Sequence, residues 1–169
     1  MAVVTDLGIT ASVRQTKVLD LTTAADELAF RRGVHLEDGT AAGKADRAFH
    51  DRRTLAASGT EDLDLAGVLL DAFGAALTFV KVKGLFIAAD ITNTNNVVIG
   101  AAATNPWAAL LGAAGTLTLR PGASMGLMAG AADATAYAVT AGTGDLLKVA
   151  NSGAGTPVTY DIVIVGASA

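Results

Sequence analysis

Three carboxylates fall within four residues at Glu61, Asp62 and Asp64. A cluster of this kind is what a hard cation such as calcium needs, but the spaced loop of oxygen ligands that normally completes such a site does not surround it. Placed on a strand, Asp62 and Asp64 point to one face and Leu63 and Leu65 to the other, which describes a polar face over an apolar one. His50-Asp51 would supply a general base and an orienting carboxylate. Adjacent strand residues point apart, however, and no serine elbow accompanies them. Gly39-Thr-Ala-Ala-Gly43-Lys44 has three residues between its glycines where a phosphate loop has four, and Ala45 stands where Ser or Thr would hold the metal. Gly142-Thr143-Gly144 lacks the third glycine and the βαβ setting of a dinucleotide site. With no cysteine in the chain, thiol chemistry and cysteine-based zinc sites are excluded. The expectation is a protein that is not an enzyme, with no catalytic residue, cofactor or metal.

What remains is contact chemistry. Arg31-Arg32 and Arg52-Arg53 are the doubled basic pairs, suited to acidic protein surface or phosphate. Asp26, Glu27, Asp46 and Asp51 stand nearby and favour salt bridges within or between subunits. Trp107, Met125 and Met128 are the bulky or adaptable apolar residues in a stretch of alanine and glycine. Core packing is their first role and interface anchoring their second. These seven residues are the candidate interface set.

The elements that must carry these residues are built from small side chains. Ala, Gly and Thr number 36, 19 and 19 among 169 residues. Hydrophobic residues make up 51% and charged residues 17%, a balance that folds rather than remaining disordered. A net charge of −4 argues against a nucleic-acid partner, which calls for a basic stripe. The N-terminus lacks the basic start and apolar core of a signal peptide. Residues 91–119 carry no charge, yet asparagines, a proline and glycines interrupt them, so no membrane span is expected.

Charge is distributed unevenly. Residues 1–60 contain eight Lys/Arg and eight Asp/Glu, whereas residues 84–169 contain two and four, or 7% of 86 positions. A solvent-facing domain usually carries roughly a quarter charged residues on its surface, so neighbouring copies of the chain are the expected cover for this region. The segment 1–46 is expected to be a mostly irregular attachment arm with a loop over 36–46. It carries one short helix, capped by Thr23, with Asp26 and Glu27 in its first turn, Arg31 and Arg32 near its end and Gly33 as the stop.

From residue 47 onward, apolar runs recur between Gly, Pro, Asn and Asp at the spacing of an antiparallel β-sandwich. Strands are predicted over 47–56, 61–66, 77–88, 96–101, 115–120, 124–128, 136–140, 146–150 and 158–165. Alternation assigns Val80, Val82 and Phe86 to one face with Lys81 and Lys83 opposite, and Leu117 and Leu119 inward with Thr116 and Thr118 outward. The last strand is apolar on both faces and is therefore expected to be central. Turns are predicted at 58–60, closing a hairpin, and at 120–122, 141–145 and 151–157. The fold expected is all-β, a jelly-roll-like antiparallel β-sandwich over 47–169.

The chain resembles small structural proteins of tailed-bacteriophage virions. The resemblance lies in Asp51-Arg-Arg-Thr-Leu-Ala-Ala-Ser-Gly-Thr-Glu-Asp-Leu-Asp-Leu65, in Asp71-Ala-Phe-Gly-Ala-Ala-Leu-Thr-Phe-Val-Lys-Val-Lys83, in Ala136-Tyr-Ala-Val-Thr-Ala-Gly-Thr-Gly-Asp-Leu-Leu-Lys-Val149 and in Tyr160-Asp-Ile-Val-Ile-Val-Gly166. These are strand and turn patterns. They imply a capsid decoration or head-fibre protein, made in the host cytoplasm and carried on the capsid surface. The expected assembly is a homo-oligomer, a homotrimer, with the major capsid protein as its partner. A neck, tail or fibre component that binds a glycan or receptor is the alternative.

Overall fold

In a computed structural model, residues 2–169 of the chain are described, and they are nearly all β. The N-terminal segment is β1 (Thr5–Val18) and β2 (Thr23–Asp38), paired antiparallel over fourteen residue pairs from Thr5–Leu36 to Val18–Thr23. The irregular arm and the helix begun at Thr23 are thus corrected to a long hairpin. Thr23 opens a strand, Asp26 and Glu27 lie within it, and Gly33 continues it opposite Gly8. The reason is the period-two pattern of Leu7, Ile9, Ala11 and Val13 against Leu28, Phe30, Val34 and Leu36, which puts these larger apolar residues on one face of a ribbon. A helix cap contributes only about 1 kcal/mol and does not compete with pairing of that length.

The expected loop over 36–46 shrinks to a turn. It ends in the short β3 (Lys44–Ala45), parallel to the end of β2. Gly39 and Gly43 have φ of 129° and 68°, values that side-chain-bearing residues seldom adopt.

The remaining strands form two sheets. One contains β4 (Arg47–Leu55), β12 (Val158–Ala167) and β6 (Lys81–Ala89) in that order, with β9 (Ser124–Met128) and β10 (Tyr137–Ala138) along the far edge of β6. The other runs β5 (Thr60–Asp64), β11 (Leu146–Asn151), β7 (Val97–Gly100), β8 (Thr116–Leu119). The connections 58–60, 120–122, 141–145 and 151–157 each pass between these sheets. The hairpin predicted at 58–60 is therefore a corner instead, with Ser58 at φ 55° and its amide donating to the Gly153 carbonyl. A single helical turn, α1 (Ala108–Leu111), lies in the uncharged stretch. Among the described residues no helix is long and apolar enough to cross a membrane.

The main core draws from both sheets: Phe49, Leu85, Ile87, Tyr160, Ile162 and Ile164 from one, Leu63, Val97, Ile99, Leu119, Leu147 and Val149 from the other. β12 lies between β6 and β4, as its two apolar faces require. A second, smaller cluster of Leu7, Leu36, Ala45 and Val165 lies on the outer side of the five-stranded sheet and seats the base of the hairpin.

Strand β6 departs from the expected phase. Gly84 pairs with Val165 but Val82 pairs with Gly166, so Lys83 is an extra residue in a β-bulge. The bulge flips the alternation. Val82 joins the main core, Phe86 packs on the outer cluster, and the two do not share a face. Lys83, expected outside, is 1% exposed.

Candidate interaction surface

The outer face of the five-stranded sheet is where the functional features collect. Odd-numbered residues of β1 and even-numbered residues of β2 face one way, because residues directly paired across a ribbon share a side. This face runs from Leu7–Val34 through Ile9–Arg32, Ala11–Phe30 and Val13–Leu28 to Gln15–Asp26. At its base Leu7 is buried over Gly84, where a Cβ on the glycine would come within 2.6 Å of the leucine's Cδ1. Ile9 sits above Gly126 and Phe86. Gly84 is needed for this close approach of ribbon to sheet, whereas a Cβ at Gly126 would press on the Phe86 ring at 2.8 Å and meet Ile9 at an ordinary 3.7 Å. Beyond Ile9 the ribbon leaves the body, and Val13, Leu28 and Phe30 are exposed along it. The turn at its tip presents Val18, Leu19 and Leu21, the last 99% exposed. Under the ribbon's base opens an apolar groove of about 490 Å3, lined by Ile9, Phe86, Ala88, Met125, Gly126 and Val163, with Asp161 at one side.

The candidate interface residues scatter across this architecture. Arg31 points to the polar side of the hairpin, opposite Thr10. Arg32 lies on the apolar side with its guanidinium 4.9 Å from the Phe30 ring centre. The adjacent arginines of β4 also face apart. Arg52 lies on the outer face and donates to Asp161 at 2.7 Å and to Asp90 at 3.0 Å. Its hydrogen bond and charge contact with Asp161 raise its pKa. Asp90 is held below the usual carboxylate range, first by the amide and hydroxyl of Thr92 and in smaller part by Arg52. Arg53 faces inward and donates to Glu61 at 2.6 Å.

Met125 packs against the main core and Met128 against the outer cluster. Trp107 is buried in the core, with its indole N–H donating to the Ala138 carbonyl at 2.8 Å. Trp107→Phe removes that bond between the buried indole and the edge strand β10. We expect a loss of about 1 kcal/mol in urea unfolding followed by circular dichroism; no change would mean that the carbonyl finds another donor.

The sequence offered Glu61 only as one of three clustered carboxylates on a polar strand face, with no sign of a role between the sheets. It is the link between the sheets at this end, since Tyr160 donates to its other oxygen at 2.6 Å. Asp62 and Asp64 stay on the opposite side of β5 from Leu63, and Asp64 accepts the Ala66 amide. His50 and Asp51 face apart on β4: Asp51 pairs with Arg53 on the inner side, while His50 is exposed.

Lys83 went unnoticed for a clear reason, since nothing in the local alternation announces the bulge. Its ammonium donates to the carbonyls of Ala41, at 2.6 Å, and of Lys44. Burial lowers its pKa, with Lys81 adding a smaller push in the same direction. It thereby ties the turn after the hairpin to the sheet beneath.

Taken together, these features are a ribbon with one apolar side, a groove at its root and an anchored base. Comparison of the chain with known protein families, with curated proteins and with solved structures finds no match.

Proposed function

We propose that this protein is a structural component of a bacteriophage virion, a decoration or head-accessory protein that forms a homo-oligomer on the capsid surface and binds the major capsid protein. We further propose that its two larger sheets make a jelly-roll-like β-sandwich. The strand orders β4-β12-β6-β9 and β5-β11-β7-β8 support that fold, because they interleave early and late strands as a double Greek key does. The observation that carries the functional proposal is the projecting ribbon with an uncovered apolar side, on a body whose last 86 residues hold only six charges. A two-stranded ribbon is marginal on its own in water, so this one is made to lie against protein. The glycan-binding alternative is less well supported, since it relies on aromatic platforms. Trp107 and Tyr160 are buried and Tyr137 is partly buried.

The test is attachment to capsids of the virus that encodes the chain. Labelled full-length protein should co-sediment with tailless capsids. A variant whose ribbon is cut back, with 9–32 replaced by a tight turn, should fold but not attach. This cut spares Leu7, Leu36 and the turn held by Lys83, which a deletion of the whole arm would remove. Attachment by the shortened form, or none by the full chain, would refute the proposal.

A further inference from the structure

The outer edge of β2 carries backbone groups that the ribbon itself does not use. In the turn at the tip the Leu19 amide donates to the Thr22 carbonyl at 2.7 Å, which sets the phase of the antiparallel ladder. Even-numbered residues of β2 then bond across to β1, and the amides and carbonyls of Ala25, Glu27, Ala29, Arg31 and Gly33 point away from it. Two contacts on this edge agree with that phase: the Glu37 amide donates outward to the Gly43 carbonyl, and the Arg31 carbonyl accepts from the Arg32 guanidinium. Every residue from Thr23 to Gly33 is exposed. An open edge of this length is a template for another strand.

Along the same edge the side chains read as a palindrome of chemistry: Asp26, Glu27, Leu28, Ala29, Phe30, Arg31, Arg32. Two acids precede Ala29 and two arginines follow it at matching distances. Turned end for end, the segment therefore pairs with itself. Asp26 falls opposite the partner's Arg32 on the apolar side, Glu27 opposite the partner's Arg31 on the polar side, and Leu28 opposite the partner's Phe30. A shift of two residues either way breaks every one of these ion pairs. Parallel pairing in register sets like charges side by side.

We infer that β2 pairs antiparallel with β2 of a second copy of this chain about a two-fold axis at Ala29, making one four-stranded sheet with the two β1 strands outermost. Glu27, Ala29 and Arg31, whose backbone groups point outward, are then the residues that face one another, so one register satisfies both the hydrogen bonds and the charges. The cations on β1 fit this arrangement. Arg14 pairs with Glu27 at 3.0 Å, and Lys17 stands beside Ala24 on the same side as Asp26. Each acid thus lies between a cation of its own β1 and an arginine of the partner. There is room for the two bodies. Contact between ribbon and β9 is made by Ile9 above Gly126, whereas the axis passes at Ala29 and its pair Ser12, about 10 Å further out along the strand. The contact uses only the edge of the ribbon, so Leu7 and Ile9 stay packed on their own sheet.

This inference deepens the homo-oligomer reading proposed above and rests on it for the choice of a second copy as occupant. The test is sedimentation equilibrium of the full chain at micromolar concentration, with cysteine cross-linking to read the register. Wild type is expected to be dimeric, or a higher even-numbered assembly. The chain has no cysteine of its own. Ala29→Cys brings two thiols together at the axis, where the Cα atoms of a hydrogen-bonded pair lie about 5.5 Å apart, within the span of a disulfide. It should form a covalent dimer on mild oxidation. Ala25→Cys, on the same side of the strand, lies across from the partner's Gly33 and should not. Asp26→Arg and Arg32→Asp should each weaken self-association about tenfold or more, as juxtaposed like charges do at an interface. The double variant D26R/R32D should recover to within about threefold of wild type, since swapped charges pair again. All these positions lie on the exposed ribbon, and Trp107 fluorescence reports whether the body has folded.

A monomer or a trimer at these concentrations would overturn the pairing. So would failure of Ala29→Cys to cross-link, equal cross-linking by Ala25→Cys, or a double variant no better than the singles. Capsid attachment by a strictly monomeric wild type would sink this inference and leave the decoration proposal standing. A dimer that cross-links through Ala29→Cys and never attaches to capsids would do the reverse.

Discussion

Lys83→Ala is expected to cost about 3 kcal/mol and to loosen the root of the ribbon before the body unfolds. Among the described residues the ammonium is the only side-chain group that donates a hydrogen bond to the Ala41 and Lys44 carbonyls, and the residue is 1% exposed. Removing it opens a void on the outer side of the sheet, strips the Lys44 carbonyl of its donor and leaves the Ala41 carbonyl only the Lys44 amide at 3.2 Å. The measurements are urea unfolding by circular dichroism and limited proteolysis, with new cleavage expected in the turn at 39–43. An unchanged midpoint would show that water or another donor replaces the lysine at no cost. The pH dependence has a definite sign. The folded-state pKa is lowered from 10.5 by burial, so the folded protein sheds this proton before the unfolded chain does. In the window below 10.5 the unfolded state binds more protons, and the stability contributed by Lys83 rises with pH. That rise should be absent from Lys83→Ala.

The second large effect belongs to Glu61. It joins β5 of one sheet to β4 and β12 of the other through Arg53 and Tyr160. Tyr160 is fully buried, so its hydroxyl has nowhere else to turn. Glu61→Ala strands that hydroxyl and leaves Arg53 without its shortest ion-pair contact, for a loss of about 3 kcal/mol. Glu61→Gln keeps an acceptor for the hydroxyl and should cost about 1 kcal/mol, mainly the charge attraction to Arg53. Equal losses in the two variants would show that the hydroxyl does not depend on Glu61. Tyr160 supplies a pH signature opposite to that of Lys83. Burial, then the hydrogen bond and charge of Glu61, raise its pKa well above the ordinary value of 10.0. Below about 10 the stabilisation is fully present. As pH rises past that point the unfolded chain ionises and the folded one does not, so stability falls. Tyr160→Phe should remove this alkaline loss, and a loss that persists in the variant would assign it elsewhere.

Both predictions concern side chains whose roles arise from long-range geometry. Glu61 and Tyr160 are 99 residues apart, and Lys83 reaches carbonyls about forty residues earlier in the chain. The pattern around Glu61 correctly separates Leu63 from Asp62 and Asp64, because alternation is a local property of a strand. It is silent on what lies across the gap between sheets. The pattern around Lys83 is misleading, since a bulge is one inserted residue and its evidence is the partner strand's register, fixed here by Gly166 on β12. The basic pairs teach a similar lesson. Arg52 and Arg53 look like one patch in the sequence, but a strand divides them between the outer face and the gap between the sheets.

By itself, the sequence determined that this chain would be nearly all β, and where most strands after residue 47 begin and end. Small and β-branched residues alternating between Gly, Pro and Asn punctuation act over a few residues, and no distant contact is needed to read them. It also determined that β12 would be central, because a strand apolar on both sides can be covered only from both sides. Tertiary structure alone decided which sheet each strand joins, and so turned the connection at 58–60 from a hairpin into a corner. It alone decided the arm. The cap-like Thr23 and the acids after it favour a helical turn locally, yet the ribbon prevails by pairing fourteen residues with a partner strand. Its apolar side is buried only where Leu7 and Leu36 reach the sheet. Energies of that kind are summed over contacts between distant segments, and no short window of sequence contains them.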